Sequence, residues 1–275
     1  MMQIGPQAGI VRQITQERVG KTFRNAYVAG TPDVCDVCRG PAPATDVCSR
    51  CQQHATEFGP LLADRTVVLT YAQGNHPAGI HQSAHEVRAY KQGADQCMQN
   101  LQLLMKLGAT IHQHCIAQWV GALWDAVTFV PSMQRPGPDH PVAALANAVV
   151  QDLASPVNIR KFLIEPGPGV NVKRVLVGDR FVVPDIYRPV VEGKRVLIVD
   201  DTWTTGASVQ GAAIAVKNAG ASSVTAFCFD RWLRWDWDDH KQLLGSLDAD
   251  ARYDPLRCPV SGSVCAYAAN FRLRF

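Results

Sequence analysis

The chain has 275 residues, 47% of them apolar and 19% charged, and its 27 Lys and Arg against 24 Asp and Glu leave a net charge of +3. That length suits one large domain or one domain with a small module, and no run of about 18 apolar residues is present to cross a bilayer, so no membrane partner is expected. So small a charge, without a dense basic run or a basic-aromatic stripe, argues against direct binding of nucleic acid.

Residues 1–30 read as an N-terminal extension. Their first twenty, MMQIGPQAGIVRQITQERVG, lack the basic start, apolar stretch and small-residue cleavage site of a secretory leader, and a cytoplasmic location is the expectation. Residues 31–60 read as a separate module because Cys35, Cys38, Cys48 and Cys51 form two CxxC pairs nine residues apart. Two such knuckles set four thiolates around one tetrahedral zinc. A pair of disulfides fits poorly without a secretory signal, and redox CxxC pairs usually open a thioredoxin-like helix that is missing here. With four thiolates the zinc would be structural; His54, just beyond the last knuckle, reads as a surface residue rather than a ligand.

Residues 61–275 form the main domain. RTVVLTYAQ (65–73) reads as a strand, residues 96–123 carry helical spacing broken near Gly108, and DAVTFVP (125–131) reads as a short buried strand. Pro and Gly then mark loops at 131–138 and 166–169. Residues 140–154 are helical, RKFLIEP (160–166) and VKRVLVGD (172–179) are strand-like, KRVLIVDD (194–201) is a buried strand, 208–220 is a helix closed by glycine, and SSVTAFCFD (222–230) is another strand. The alternation over 125–230 predicts an α/β fold with a doubly wound, mostly parallel sheet, whose ligands bind beyond the carboxyl ends of the strands.

VLIVDDTWTTGAS (196–208) lies at such an end. The loop through Thr204, Thr205, Gly206, Ala207 and Ser208 offers N–H groups, hydroxyls and a helix N-terminus to one anion. Asp200 and Asp201 before it only accept hydrogen bonds when ionised, which suits the vicinal hydroxyls of a sugar. Together they spell a ribose 5-phosphate site. The GxxxxGK[ST] and GxGxxG nucleotide loops are both missing.

This stretch resembles the phosphoribosyl-pyrophosphate signature of type I phosphoribosyltransferases. With the four-cysteine ribbon, VVLTYAQG, VRAYKQGAD and VPS (130–132), residues 35–230 are similar to the ComF-like, amidophosphoribosyltransferase-related branch. The resemblance implies a type I phosphoribosyltransferase fold and transfer of phosphoribosyl to an unidentified acceptor with loss of pyrophosphate and help from magnesium. It implies Asp200, Asp201 and Arg135 as catalytic groups, with Thr202 among the ribose 5-phosphate contacts. It also implies a pyrophosphate loop after the VP strand, where Ser132 and Arg135 stand; Lys91 and Arg180 occupy segments that resemble basic positions of the family. ComF-like chains run there to an Arg-Gly-Phe-Asn element, and this one has Pro136, Gly137, Pro138 and Asp139. Beside an active transferase, a non-catalytic regulator binding phosphoribosyl pyrophosphate or nucleotide and a DNA-uptake accessory protein fit the resemblance, and a homo-oligomer stays open. A complete amidophosphoribosyltransferase is not expected, since the first cysteine is Cys35 and a leading glutaminase nucleophile has no counterpart.

The remaining residues point less sharply. Cys97, Cys115 and Cys228 read as small core residues. His81 and His85, and His112, His114 and Cys115, lack a third ligand at a diagnostic spacing and read as ordinary helical residues. Cys258 and Cys265 could close a turn through metal or a disulfide, and no role is assigned to them. DRWLRWDWDDH (230–240) reads as the start of a C-terminal hood from about residue 231, either an aromatic wall for a flat base or an amphipathic helix packing Trp232 and Trp235.

Overall fold

The computed structural model describes residues 5–132, 137–154, 158–247, 250–264 and 266–269. Helix α1 (Pro6–Val19) opens with proline, whose missing N–H costs a helix start nothing, and α2 (Ser49–Phe58) begins directly after Cys48. Strand β1 (Arg65–Gly74) is followed by α3 (Gln82–Ala89), α4 (Asp95–Thr110), α5 (Gln113–Val120), β2 (Ala126–Phe129) and α6 (Pro141–Val150). Short strands β3 (Arg160–Lys161), β4 (Glu165–Pro166) and β5 (Phe181–Val182) and the single turn α7 (Arg188–Val191) lead to β6 (Arg195–Trp203). The chain continues through α8 (Ala207–Asn218), β7 (Ser223–Arg234), α9 (Asp238–Gly245) and α10 (Ala266–Ala269).

Five strands form one sheet in the order β1-β7-β6-β2-β3, every neighbouring pair parallel, while β4 and β5 pair antiparallel apart from it. The doubly wound α/β class is therefore as expected. β6 is central and apolar from Val196 to Val199 because helices cover both its faces. Val196 and Ile198 pack with Val209, Ala212 and Val216 of α8, whereas Leu197 and Val199 pack with Leu101 and Leu104 of α4 and Leu145 of α6. Among the described residues no helix is long and apolar enough to cross a membrane.

Three elements differ from the sequence reading. The helical run expected to break near Gly108 breaks at Ile111–His112; Gly108 stays inside α4, where a Cβ would come within 2.7 Å of Leu69 on β1. Residues 172–179 are not a strand. The buried Arg180 guanidinium gathers their carbonyls instead, donating to Val175 O at 2.8 Å, to Val172 O and to Val170 O at 3.4 Å. Arg180 is thus spent on backbone and does not line the cleft around Asp200 and Asp201. Finally, β7 runs on to Arg234, so Trp232 belongs to the sheet and only Trp235 lies beyond it.

Truncating Leu197, fully buried at the middle of β6, to Ala is expected to cost about 2–5 kcal/mol. Ile186→Ala, at a residue 78% exposed, should stay within about 0.5 kcal/mol. Denaturant unfolding of both variants checks the contrast.

Candidate active site

Asp200 and Asp201 come at the carboxyl end of β6 and are both buried. Asp201 Oδ2 accepts the Tyr90 hydroxyl at 2.7 Å and is paired with the Lys91 ammonium, while its Oδ1 accepts the Thr202 N–H at 2.9 Å. Asp200 Oδ1 accepts the Asp201 N–H at 2.9 Å. A third carboxyl group, Asp230, stands across from Thr202 in the β6–β7 register and accepts its hydroxyl at 3.0 Å. The other oxygen of Asp230, Oδ1, is buried without a hydrogen-bond partner.

Burial, reinforced by the charge on Asp201, pushes Asp200 and Asp230 well above the usual carboxylate range. Burial pushes Asp201 the same way, but Lys91 and the Tyr90 hydroxyl outweigh it and hold Asp201 below that range. Lys91 is the reciprocal case, its desolvation overcome by the Asp201 carboxylate, so that its proton is held more tightly than in water. The three acids are thus driven apart, Asp201 toward the charged form and Asp200 and Asp230 toward the neutral one, a division set by environment.

The following loop is shaped from beneath. Trp203 is buried, and a Cβ on Gly206 would lie 2.6 Å from its ring, so glycine alone fits this turn, at φ +81°. Arg231 of β7 donates to Trp203 O at 3.0 Å and Thr204 O at 2.6 Å. Since a trans peptide points N–H opposite to C=O, the Thr204 and Thr205 N–H groups turn away from Arg231. α8 then starts at Ala207, with the Ala207 N–H donating to Thr205 Oγ1 at 3.4 Å.

Asp200, Asp201, Thr202, Thr204 and Ser208 line one wall of a cleft of about 890 Å³, whose other walls carry Lys91 and Ser132. Thr205, Gly206 and Ala207 form the turn behind that wall. Seven of the predicted residues thus line one cleft, Thr205, Gly206 and Ala207 do not line it, and Arg135 lies outside the described residues. The cleft also gains Arg88, Arg174, Arg234, His140 and Trp232, which the sequence reading did not single out for binding, apart from the aromatic wall considered at Trp232. Arg88 lies 4.7 Å over the Trp232 ring, and Arg234 is tied to Asp236. Arg174 reaches the cleft from a residue at φ +63°, a backbone position non-glycine residues seldom hold. His140 caps α6 by accepting the Val142 N–H on Nδ1, which leaves Nε2–H to donate to Ser132 Oγ at 3.2 Å. Asp230 carried the same signal as Asp200, an acid at the carboxyl end of a buried strand.

The four-cysteine cluster is separate. The Sγ atoms of Cys35, Cys38, Cys48 and Cys51 lie within 4.8 Å of one another. The Gly40 N–H points at Cys38 Sγ and the Cys48 N–H at Cys35 Sγ, each at 3.4 Å, the donor pattern that steadies metal thiolates. Four thiols so gathered can hold an ion such as zinc. His54 is outside this group and lies on the buried side of α2, not at the surface as expected.

The ribbon touches the site through two arginines. Arg39 donates to Thr66 O of β1 at 3.1 Å, its own carbonyl accepts the Tyr71 hydroxyl at 2.8 Å, and a Cβ on Gly40 would lie 2.8 Å from the Arg231 guanidinium.

No protein-family model matches the chain, and no curated protein is similar to it. Among solved structures it is similar to an allosteric regulatory enzyme of purine biosynthesis (22% identity, TM-score 0.30) and to a glutamine phosphoribosylpyrophosphate amidotransferase from B. subtilis complexed with ADP and GMP (22%, TM-score 0.29), each covering 47% of this chain. This chain spans 26% of the length of either. It is also similar to a phosphoribosyltransferase from Corynebacterium diphtheriae (20%, TM-score 0.28), over 54% of this chain and 79% of that one.

Asp200 keeps its proton in the folded chain at pH values where the unfolded chain has released it, so its contribution to stability falls as pH rises past the ordinary carboxylate range. Asp200→Asn, which retains an oxygen for the Asp201 N–H, should therefore raise Tm at pH 7, by about 2–4 °C per kcal/mol recovered. The gain should vanish below about pH 4. Thermal melts across that range check it, and an unchanged or lowered Tm at pH 7 would contradict the assignment.

Proposed function

We propose that the protein is a phosphoribosyltransferase that binds 5-phosphoribosyl 1-pyrophosphate and passes its phosphoribosyl group to a nitrogen of a base or amine. The observation that supports this best is the convergence on one cleft of two buried acids, a loop of hydroxyls and N–H groups opening α8, and the cations Lys91, Arg88 and Arg174. Asp200 and Asp201 take the ribose hydroxyls, and the loop from Thr202 to Ser208 takes the 5-phosphate. Lys91, Ser132 and Arg135 receive the pyrophosphate, Ser132 being oriented by His140. Magnesium, when bound beside the ribose hydroxyls and diphosphate, supplies further neutralisation of the leaving group.

In this reading the acceptor nitrogen forms a bond to C1 as the bond from C1 to the pyrophosphate oxygen breaks, and the electron pair leaves with pyrophosphate. Positive charge gathers at the ring in between, and the Asp201 carboxylate stabilises it. Lys91, paired with Asp201 in the free chain, moves to the pyrophosphate when the ribose hydroxyls take its place. The ribbon zinc is structural, and the setting is the cytoplasm, where thiols stay reduced.

The Lys91–Asp201 pair and the Pro136–Asp139 departure together favour a second reading, a regulator that binds the same ligand without turnover. Titration calorimetry with phosphoribosyl pyrophosphate and magnesium should show binding that Asp200→Asn with Asp201→Asn weakens at least about 100-fold, the scale expected for two lost hydrogen bonds to acids. Pyrophosphate release with ammonia or a nucleobase panel then separates the readings. Acceptor-dependent release assigns the transferase, and tight binding without release assigns the regulator. Unchanged affinity in the double variant would remove the site assignment altogether.

A further inference from the structure

Residues 257–264 repeat the backbone of the ribbon's first metal knuckle, bond for bond. In the ribbon, Val34 and Pro41 form an antiparallel bridge, the Cys35 N–H donates to Gly40 O at 2.8 Å, and the Arg39 N–H donates to Cys35 O at 2.9 Å, with Arg39 at φ +59°. In the C-terminal segment, Arg257 and Val264 form the bridge, the Cys258 N–H donates to Ser263 O at 2.9 Å, and the Gly262 N–H donates to Cys258 O at 2.9 Å, with Gly262 at φ +72°. In this register Cys258 stands in the place of Cys35 and Ser261 in the place of Cys38. The Ser261 N–H is directed at the Cys258 thiol, as N–H groups are directed at sulfur in the ribbon.

The partner that faces the knuckle is a histidine. His112, between α4 and α5, is as buried as Cys258, each 1% exposed, and its ring faces the Cys258 thiol. His112 Nε2 lies 2.9 Å from Pro255 O. A carbonyl can only accept, so Nε2 carries the proton and Nδ1 is the unprotonated nitrogen, the one able to act as a ligand. That is the tautomer of a metal-ligating imidazole, with its other N–H held by a carbonyl. The two side chains border a void of about 10 Å³, and neither lines the cleft. Cys115, half-buried in the first turn of α5, adds a soft donor at the same helix end.

We propose that this knuckle is a second metal site, in which Cys258 Sγ and His112 Nδ1 bind an ion of the zinc class and fasten the C-terminal segment to the α4–α5 junction. Thiolate and imidazole together select zinc-like ions over magnesium or calcium, which prefer oxygen.

The test is the metal content of the purified full chain by mass spectrometry, with zinc supplied during expression. Wild type should carry about two zinc ions per chain, one more than the ribbon alone holds. His112→Ala and Cys258→Ser should each lower this to about one, and Cys35→Ser with Cys38→Ser should also leave about one. Ser261→Cys, which completes a CxxC pair, should slow zinc release to a chelator. One zinc in wild type, lost in the ribbon variant and untouched by His112→Ala and Cys258→Ser, would overturn the proposal. Should the variants not fold, the wild-type stoichiometry decides by itself: two ions support the second site, and one refutes it.

Discussion

Three carboxyl groups removed from water at the end of two adjacent strands set the terms for everything around them. Asp200, Asp201 and Asp230 cannot all ionise in such a place, because each desolvated charge raises the cost of the next. The chain resolves this by supplying one cation, Lys91, and one strong hydroxyl donor, Tyr90, to a single acid, Asp201. Asp200 and Asp230 hold their protons more tightly than free carboxyl groups do. Three desolvated carboxyl groups served by one cation are an unfavourable arrangement for a fold.

Arg231 is the second organising group. Its guanidinium reaches from β7 to the carbonyls of Trp203 and Thr204, which orients the loop above it, while the ribbon's Gly40 rests on the same guanidinium. Its Nε is buried without a hydrogen-bond partner. A single buried arginine therefore joins the cysteine module to the loop after β6, and the packing is too close for a side chain at residue 40.

The motifs most legible in the sequence are those whose chemistry is local. The CxxC spacing brings thiols together through two short turns, and the acids, hydroxyls and glycine of 200–208 follow one another where β6 runs into α8, so each set is already contiguous in the chain. The apolar strands were legible for a related reason: a parallel strand covered on both faces must be continuous in Val, Ile and Leu. Residues 172–179 misled because their Val-rich run satisfies the same rule, while the competition that decided their conformation came from Arg180, outside the segment.

What the sequence by itself determined is the set of groups that lie within a few residues of each other: four thiols, an acidic pair, a hydroxyl- and glycine-bearing loop and the strand that carries them. The tertiary structure alone decided which cations and donors meet those groups. Tyr90 reaches Asp201 across 111 residues, His112 meets Cys258 across 146, and the Gly40 contact spans from the ribbon to Arg231. No local periodicity encodes such pairings, because they are set by strand order and helix docking, and the protonation of the buried acids is a property of those pairings rather than of the residues that carry it.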